Sequence, residues 1–175
     1  MSSSAAKPVA ITDGTVRVTG LLCGPRRPLA CYVLAHGAGA GMAHPFMAAV
    51  ATGLAQRRVA TLRYQFPYME KGSRRPDPPL LAQATVRAAV AARLLPGVPL
   101  FAGGKSFGGR MTSQAQAAAP LSGVRGLIFI GFPLHPAGKP SAERGRHLFD
   151  IRIPMLFLQG TRDALATLAE VEPLC

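Results

Sequence analysis

Short unbroken apolar runs alternate along this chain with longer stretches whose apolar residues recur every three or four positions. The first pattern suits strands covered on both faces, and the second suits helices lying on a sheet. Ala30–Ala35, Val59–Arg63, Val98–Ala102, Val124–Phe132 and Pro154–Gln159 read as strands. A helix opens at Pro45, with Phe46, Met47, Val50 and Leu54 at helical spacing. A second runs from Leu80 to Leu95, with Leu80, Leu81, Ala84, Ala88, Ala91 and Leu95 on one face. The Ala-rich segment Met111–Ala119 predicts a third. Ahead of these, Ala10–Val18 reads as a hairpin turning at Asp13-Gly14, its second strand continuing to Leu22. A polar loop carries Pro67, Pro76, Pro78 and Pro79. Strands alternating with helices predict one doubly wound, mainly parallel α/β sheet, over residues 9–175, after a flexible tail at 1–8. No internal repeat or second domain is visible. In such sheets ligands bind at the carboxyl ends of the strands. Those ends carry His36-Gly37, Ser106, His135 and Asp163.

One of these ends has a stronger signature. Gly104-Lys105-Ser106-Phe107-Gly108 is a G-x-S-x-G pattern between a predicted strand and a predicted helix. That is the setting of a nucleophile elbow, where a sharp turn exposes the serine hydroxyl and its neighbours must be small. Gly-Lys-Ser also ends a phosphate-binding P-loop, but that motif needs a glycine where Pro99 stands. A glycine-rich turn without chemistry is the other reading.

Bulk properties narrow the field. With 49% apolar residues over 175 positions, the chain is long and apolar enough for a real core and is not disordered. No apolar run approaches the ~18 residues of a membrane span, and the first residues lack the apolar core of a signal peptide. Cys23, Cys31 and Cys175 are too far apart for a metal or disulfide framework, which favours a reducing cytoplasm. The net charge of +12 invites an anionic partner. Yet the basic residues are scattered as loop pairs (Arg26-Arg27, Arg57-Arg58, Arg74-Arg75) with no interleaved aromatics, which argues against nucleic acid. No metal or cofactor is expected, because the four histidines show no ligand spacing.

Five segments, in order, resemble the α/β-hydrolase superfamily, and more narrowly its KANL3/Tex30-like branch, related to dienelactone hydrolases. They are His36–Met42 with His44-Pro45, Arg63–Glu70, Gly103–Arg110, Phe132–Pro136 and Phe157–Asp163. The resemblance implies Ser106 as nucleophile and Asp163 as the triad acid. It implies an oxyanion hole from the Phe107 N–H and the Gly37-Ala38 turn. On the residues themselves, Arg63, Tyr64 and Tyr68 lie in the loop expected to form the pocket wall or else pack as core aromatics, and His44 is a further candidate lining residue. Lys105 and Arg110 flank the elbow and either favour an anionic substrate or stand as solvated surface groups. The implied activity is hydrolysis of a small-molecule ester or thioester-type acyl substrate.

The superfamily places its histidine after the acid, beyond one more strand, but no histidine follows His147 here. The resemblance therefore implies a C-terminally truncated sheet without the last strand, histidine loop and final helix. Its open edge would invite self-association. His135 stands as a substitute base or, beside Pro133 and Pro136, as a loop-ordering residue. His36 is expected to hold the oxyanion turn, His44 to cap its helix or line the pocket, and His147 to be structural. Asp163 has an alternative role in ordering the Gly160-Thr161 turn. With no base in place, a non-catalytic binding module is the competing function.

Overall fold

The computed structural model describes residues 5–92, 94–139, 141 and 143–174. The chain opens with an antiparallel hairpin, β1 (Lys7–Asp13) and β2 (Val16–Cys23), whose turn places Gly14 at φ +53°. β3 (Ala30–Ala35), α1 (Pro45–Gln56), β4 (Val59–Tyr64), α2 (Pro67–Glu70), α3 (Pro79–Ala91) and β5 (Leu100–Lys105) follow. After them come α4 (Phe107–Ala118), β6 (Val124–Ile130), β7 (Met155–Leu158) and α5 (Leu168–Val171). Two 3-10 segments, Glu143–Asp150 and Glu172–Leu174, complete the described elements. The seven strands form one sheet in the order β1-β2-β4-β3-β5-β6-β7. β2 joins β4 antiparallel, and every pairing from β4 to β7 is parallel. The fold is the α/β-hydrolase type expected from the sequence.

Strand alternation divides the core. On β3, Tyr32 and Leu34 face α1 and pack with Met47. Val33 and Ala35 face the other way, into the larger cluster with Leu62, Ala82, Val86, Ala102, Met111 and Phe129. Period-two side chains on strands covered on both faces produce this split.

Chain order fixes where a ligand site belongs. From β3 the chain winds to β4 on one side, then crosses to β5 on the other. The switch point therefore lies between β3 and β5, and the crevice outside their carboxyl ends is the natural binding position.

Three sequence expectations need correction. Ordered structure begins inside the expected tail, because Lys7 and Pro8 pair with Leu22 and Leu21 and extend the hairpin ladder. The proline loop contains α2, which opens on Pro67, and the Tyr68 N–H donates to Asp77 Oδ2. The second predicted helix, α3, ends at Ala91 and turns a different face inward. Ala82, Thr85, Val86 and Ala89 are buried, whereas Leu80 is 81% exposed. Their spacing of three, four and seven residues is a proper helical stripe. Its small side chains let α3 lie against α4, where Gln83 donates to Gln114 and Arg87 donates to the Ala119 carbonyl at the end of α4.

Candidate active site

β5 runs Leu100–Lys105 and α4 starts at Phe107, so Ser106 alone makes the turn between them. It does so at φ +49°, ψ −115°, a region that costs a residue with a Cβ about 1–3 kcal/mol. The neighbours allow the turn only by lacking side chains. A Cβ on Gly104 would lie 2.4 Å from the Ala35 carbonyl oxygen, and one on Gly108 would lie 2.6 Å from that of His36. β3 thus presses directly on both sides of the elbow. The Ser106 N–H donates to the Ile130 carbonyl at 3.1 Å, tying the turn to the end of β6.

Gly37, just past β3, faces the elbow. A Cβ at Gly37 would sit 3.8 Å from Ser106 Cβ and 3.9 Å from Lys105 Cγ. The loop after Gly37 is braced from beneath. His36 is fully buried, with Nδ1–H donating to the Gly37 carbonyl at 2.8 Å and Nε2 accepting from the Phe66 N–H at 3.1 Å. Gln65 Oε1 accepts from the Met42 N–H, and Arg63 Nη1 donates to the Met42 carbonyl at 3.0 Å. The N–H groups of the first turn of α4, Phe107 among them, have no intrahelical partner. A developing oxyanion above Ser106 would find such donors already in place.

Gly37, Ala38, Ala40, His44, Met47, Lys105 and Ser106 line a cleft of about 210 Å³ at the switch point. His44 is the N-cap of α1, its Nδ1 accepting from the Phe46 N–H at 3.2 Å. Lys105 reaches along the rim, its Nζ 5.7 Å from the centre of the Phe46 ring. Arg26, Arg27 and Arg58 line a separate concavity at the amino ends of the strands, away from Ser106.

Asp163 lies beyond β7, with Oδ2 3.4 Å from where a Cβ on Gly131 would stand. Gly131 follows Ile130, the residue bonded to Ser106, so Asp163 occupies the same end of the sheet. Its Oδ2 accepts from Gln159 Nε2 at 2.8 Å and its Oδ1 from the Leu165 N–H at 2.9 Å. Gln159 also accepts from the Phe132 N–H and so links Asp163 to the loop after β6.

The other expected site residues are placed elsewhere. Arg63, Tyr64 and Tyr68 are buried and do not line the cleft. Tyr64 and Tyr68 join an aromatic cluster around Phe66, and Arg63 braces the loop instead. These residues sit on or just after β4, whose inward positions the sheet consumes as core. His135 is not brought to Ser106. Its Nδ1 donates to the Pro136 carbonyl at 2.8 Å and its Nε2 meets Glu170 Oε2 at 3.2 Å. The Pro136 carbonyl and the Glu170 carboxylate hold its pKa above the ordinary histidine range. A ring whose nitrogens both face acceptors keeps its proton and has no lone pair for a serine.

A serine–histidine pair that no spacing rule finds lies further along α4. Ser113 Oγ is 2.7 Å from His147 Nε2. The hydroxyl spends its one proton on the Arg110 carbonyl, so the ring donates to the serine. That polarity is opposite to nucleophile activation. Gln65 and Gln159 were likewise beyond sequence reading, since their roles depend on which loops the sheet brings together.

A strained serine between strand and helix, at the switch point of a doubly wound sheet, defines a hydrolase-type α/β architecture. The chain belongs to the alpha/beta hydrolase domain family, whose sequence pattern matches residues 28–174. Solved structures agree on the fold. A dienelactone hydrolase from Anabaena variabilis superposes at TM-score 0.70 and 18% identity, covering 99% of this chain and 94% of its own. Est1E from Butyrivibrio proteoclasticus, with ferulic acid bound, gives 0.76 and 18%, covering 95% and 84%. The esterase PF2001 from Pyrococcus furiosus gives 0.77 and 15%, covering 98% and 76%. No helix among the described residues is long and apolar enough to cross a membrane.

Proposed function

We propose that this protein is a serine hydrolase acting on small ester or thioester-type acyl substrates, with Ser106 as nucleophile. The observation that carries this reading is the backbone of Ser106, held at positive φ by glycine neighbours that β3 would otherwise clash with. Strain of this kind persists only where the surroundings enforce it. Ser106 Oγ would attack the acyl carbon, and the carbonyl oxygen would move onto the Phe107 N–H and an N–H of the Gly37-Ala38 turn. Departure of the alcohol or thiol, carrying the proton given up by Ser106 Oγ, would leave an acyl-serine for water to hydrolyse. Asp163 is assigned as the acid that would orient a base. The family comparison and the esterase-like neighbours support the reaction class. We propose the narrower kinship with the KANL3/Tex30-like branch on the same five segments, His36–Met42 with His44-Pro45, Arg63–Glu70, Gly103–Arg110, Phe132–Pro136 and Phe157–Asp163.

A second reading is favoured by one specific observation. Each of the four imidazoles makes its hydrogen bonds away from Ser106. A serine hydroxyl without a base is a weak nucleophile, and such a chain would serve as a binding module on the same fold. Labelling with a fluorophosphonate, read by intact mass, separates the two. The first reading expects one adduct that disappears in Ser106→Ala. An unlabelled folded protein assigns the chain to the second.

A further inference from the structure

The cleft at Ser106 carries charge of one sign. Its two ionisable lining residues are Lys105 and His44, and no carboxylate lines it. The nearby acids are committed elsewhere. Glu70 accepts from the Thr19 N–H and hydroxyl, Asp77 from the Tyr68 N–H, and Asp163 from Gln159 and Leu165. Among the described residues no carboxylate pairs with Lys105; the ion pair found there is His135–Glu170. Lys105 instead rests its ammonium near the Phe46 ring, a contact that holds the side chain along the cleft rim without neutralising it.

His44 adds a donor. Because its Nδ1 accepts from the Phe46 N–H, the proton of the neutral ring sits on Nε2. The imidazole therefore offers an N–H, not a lone pair, beyond its capping bond. An ammonium and one N–H beside a cleft of about 210 Å³ suit a compact monoanion better than a bulky dianion, which needs more donors.

We infer that this cleft takes acyl substrates bearing a free carboxylate, with Lys105 as the residue that selects for it. The inference rests on the proposal that Ser106 lies in the acyl-binding cleft. It does not require turnover. Lys105 acts on specificity: it recognises the far end of the substrate while Ser106 meets the carbonyl.

The test is binding, with Ser106→Ala present so that nothing is consumed. Monomethyl succinate, a monoanion at neutral pH, is titrated by calorimetry or NMR against dimethyl succinate, its neutral counterpart. Binding of the monoanion about tenfold tighter is expected, the scale of one charge-assisted contact. The preference should vanish in Ser106→Ala/Lys105→Met, survive in Ser106→Ala/Lys105→Arg, and shrink as salt is raised. Equal binding of the two esters, no binding of the monoanion, or a preference that outlasts Lys105→Met overturns the inference. Fluorophosphonate labelling of the native protein reports on the nucleophile separately, so failure of either idea leaves the other readable.

Discussion

Ser106 and its glycines show how little freedom the elbow has. Gly104→Ala would set a methyl group 2.4 Å from the Ala35 carbonyl oxygen and force β5 away from β3. A loss of about 3 kcal/mol is expected, measured by urea denaturation, with a matching fall in fluorophosphonate labelling. His36 is the other residue whose environment has a measurable consequence. Burial holds it below the ordinary histidine range. As pH falls through about 6.5 the unfolded chain takes up a proton that the folded chain refuses, so stability present above that pH is lost below it. His147, lowered by burial and by Arg110, adds to the same trend, while the raised His135 opposes it. Urea midpoints at pH 7.5 and 5.5 should therefore fall toward acid, and His36→Gln should flatten part of that slope. A slope unchanged in the variant would refute the assignment.

At the scale of elements, α3 shows a pattern read correctly as helix but in the wrong phase. The spacing of Leu80 and Leu81 predicts a buried side, yet Leu80 is 81% exposed and the small residues Ala82, Thr85 and Ala89 face inward. Hydrophobicity ranks residues by transfer energy, whereas a close helix–helix contact selects for size. Ala82→Leu is expected to cost about 1–3 kcal/mol through overpacking. Leu80→Ala should stay within about 0.5 kcal/mol. Chemical denaturation of the two variants side by side checks the phase directly. The strands were more legible than the helices, because an unbroken apolar run between turn signals leaves no phase to choose. The elbow was legible too, since Gly104, Ser106 and Gly108 are close in sequence and their spacing is itself the geometry.

Across the whole molecule, charge and edges matter more than any one contact. Among the described residues β7 is an edge strand, and Leu156 and Leu158, two apart and so on one face, are each 51% exposed. Exposed apolar side chains on one face of a sheet invite contact with a second copy. We expect concentration-dependent association in sedimentation velocity, weakened by Leu158→Lys. A monomer at every concentration would refute it. The high net charge of +12 opposes such contacts at low salt, so association should strengthen as salt is added.

Local sequence determined the alternation of strands and helices, the strand–serine–helix turn and the charge of the chain, because each depends on residues near one another or on simple totals. Tertiary structure decided the rest. Only the strand order β4-β3-β5 brings Gly37, His44, Lys105 and Ser106 around one cleft. Only packing buries Arg63, Tyr64 and Tyr68 and commits His135 to Glu170. These outcomes depend on which distant segments meet, and a hydrogen-bond partner dozens of residues away leaves no mark in the spacing of either residue.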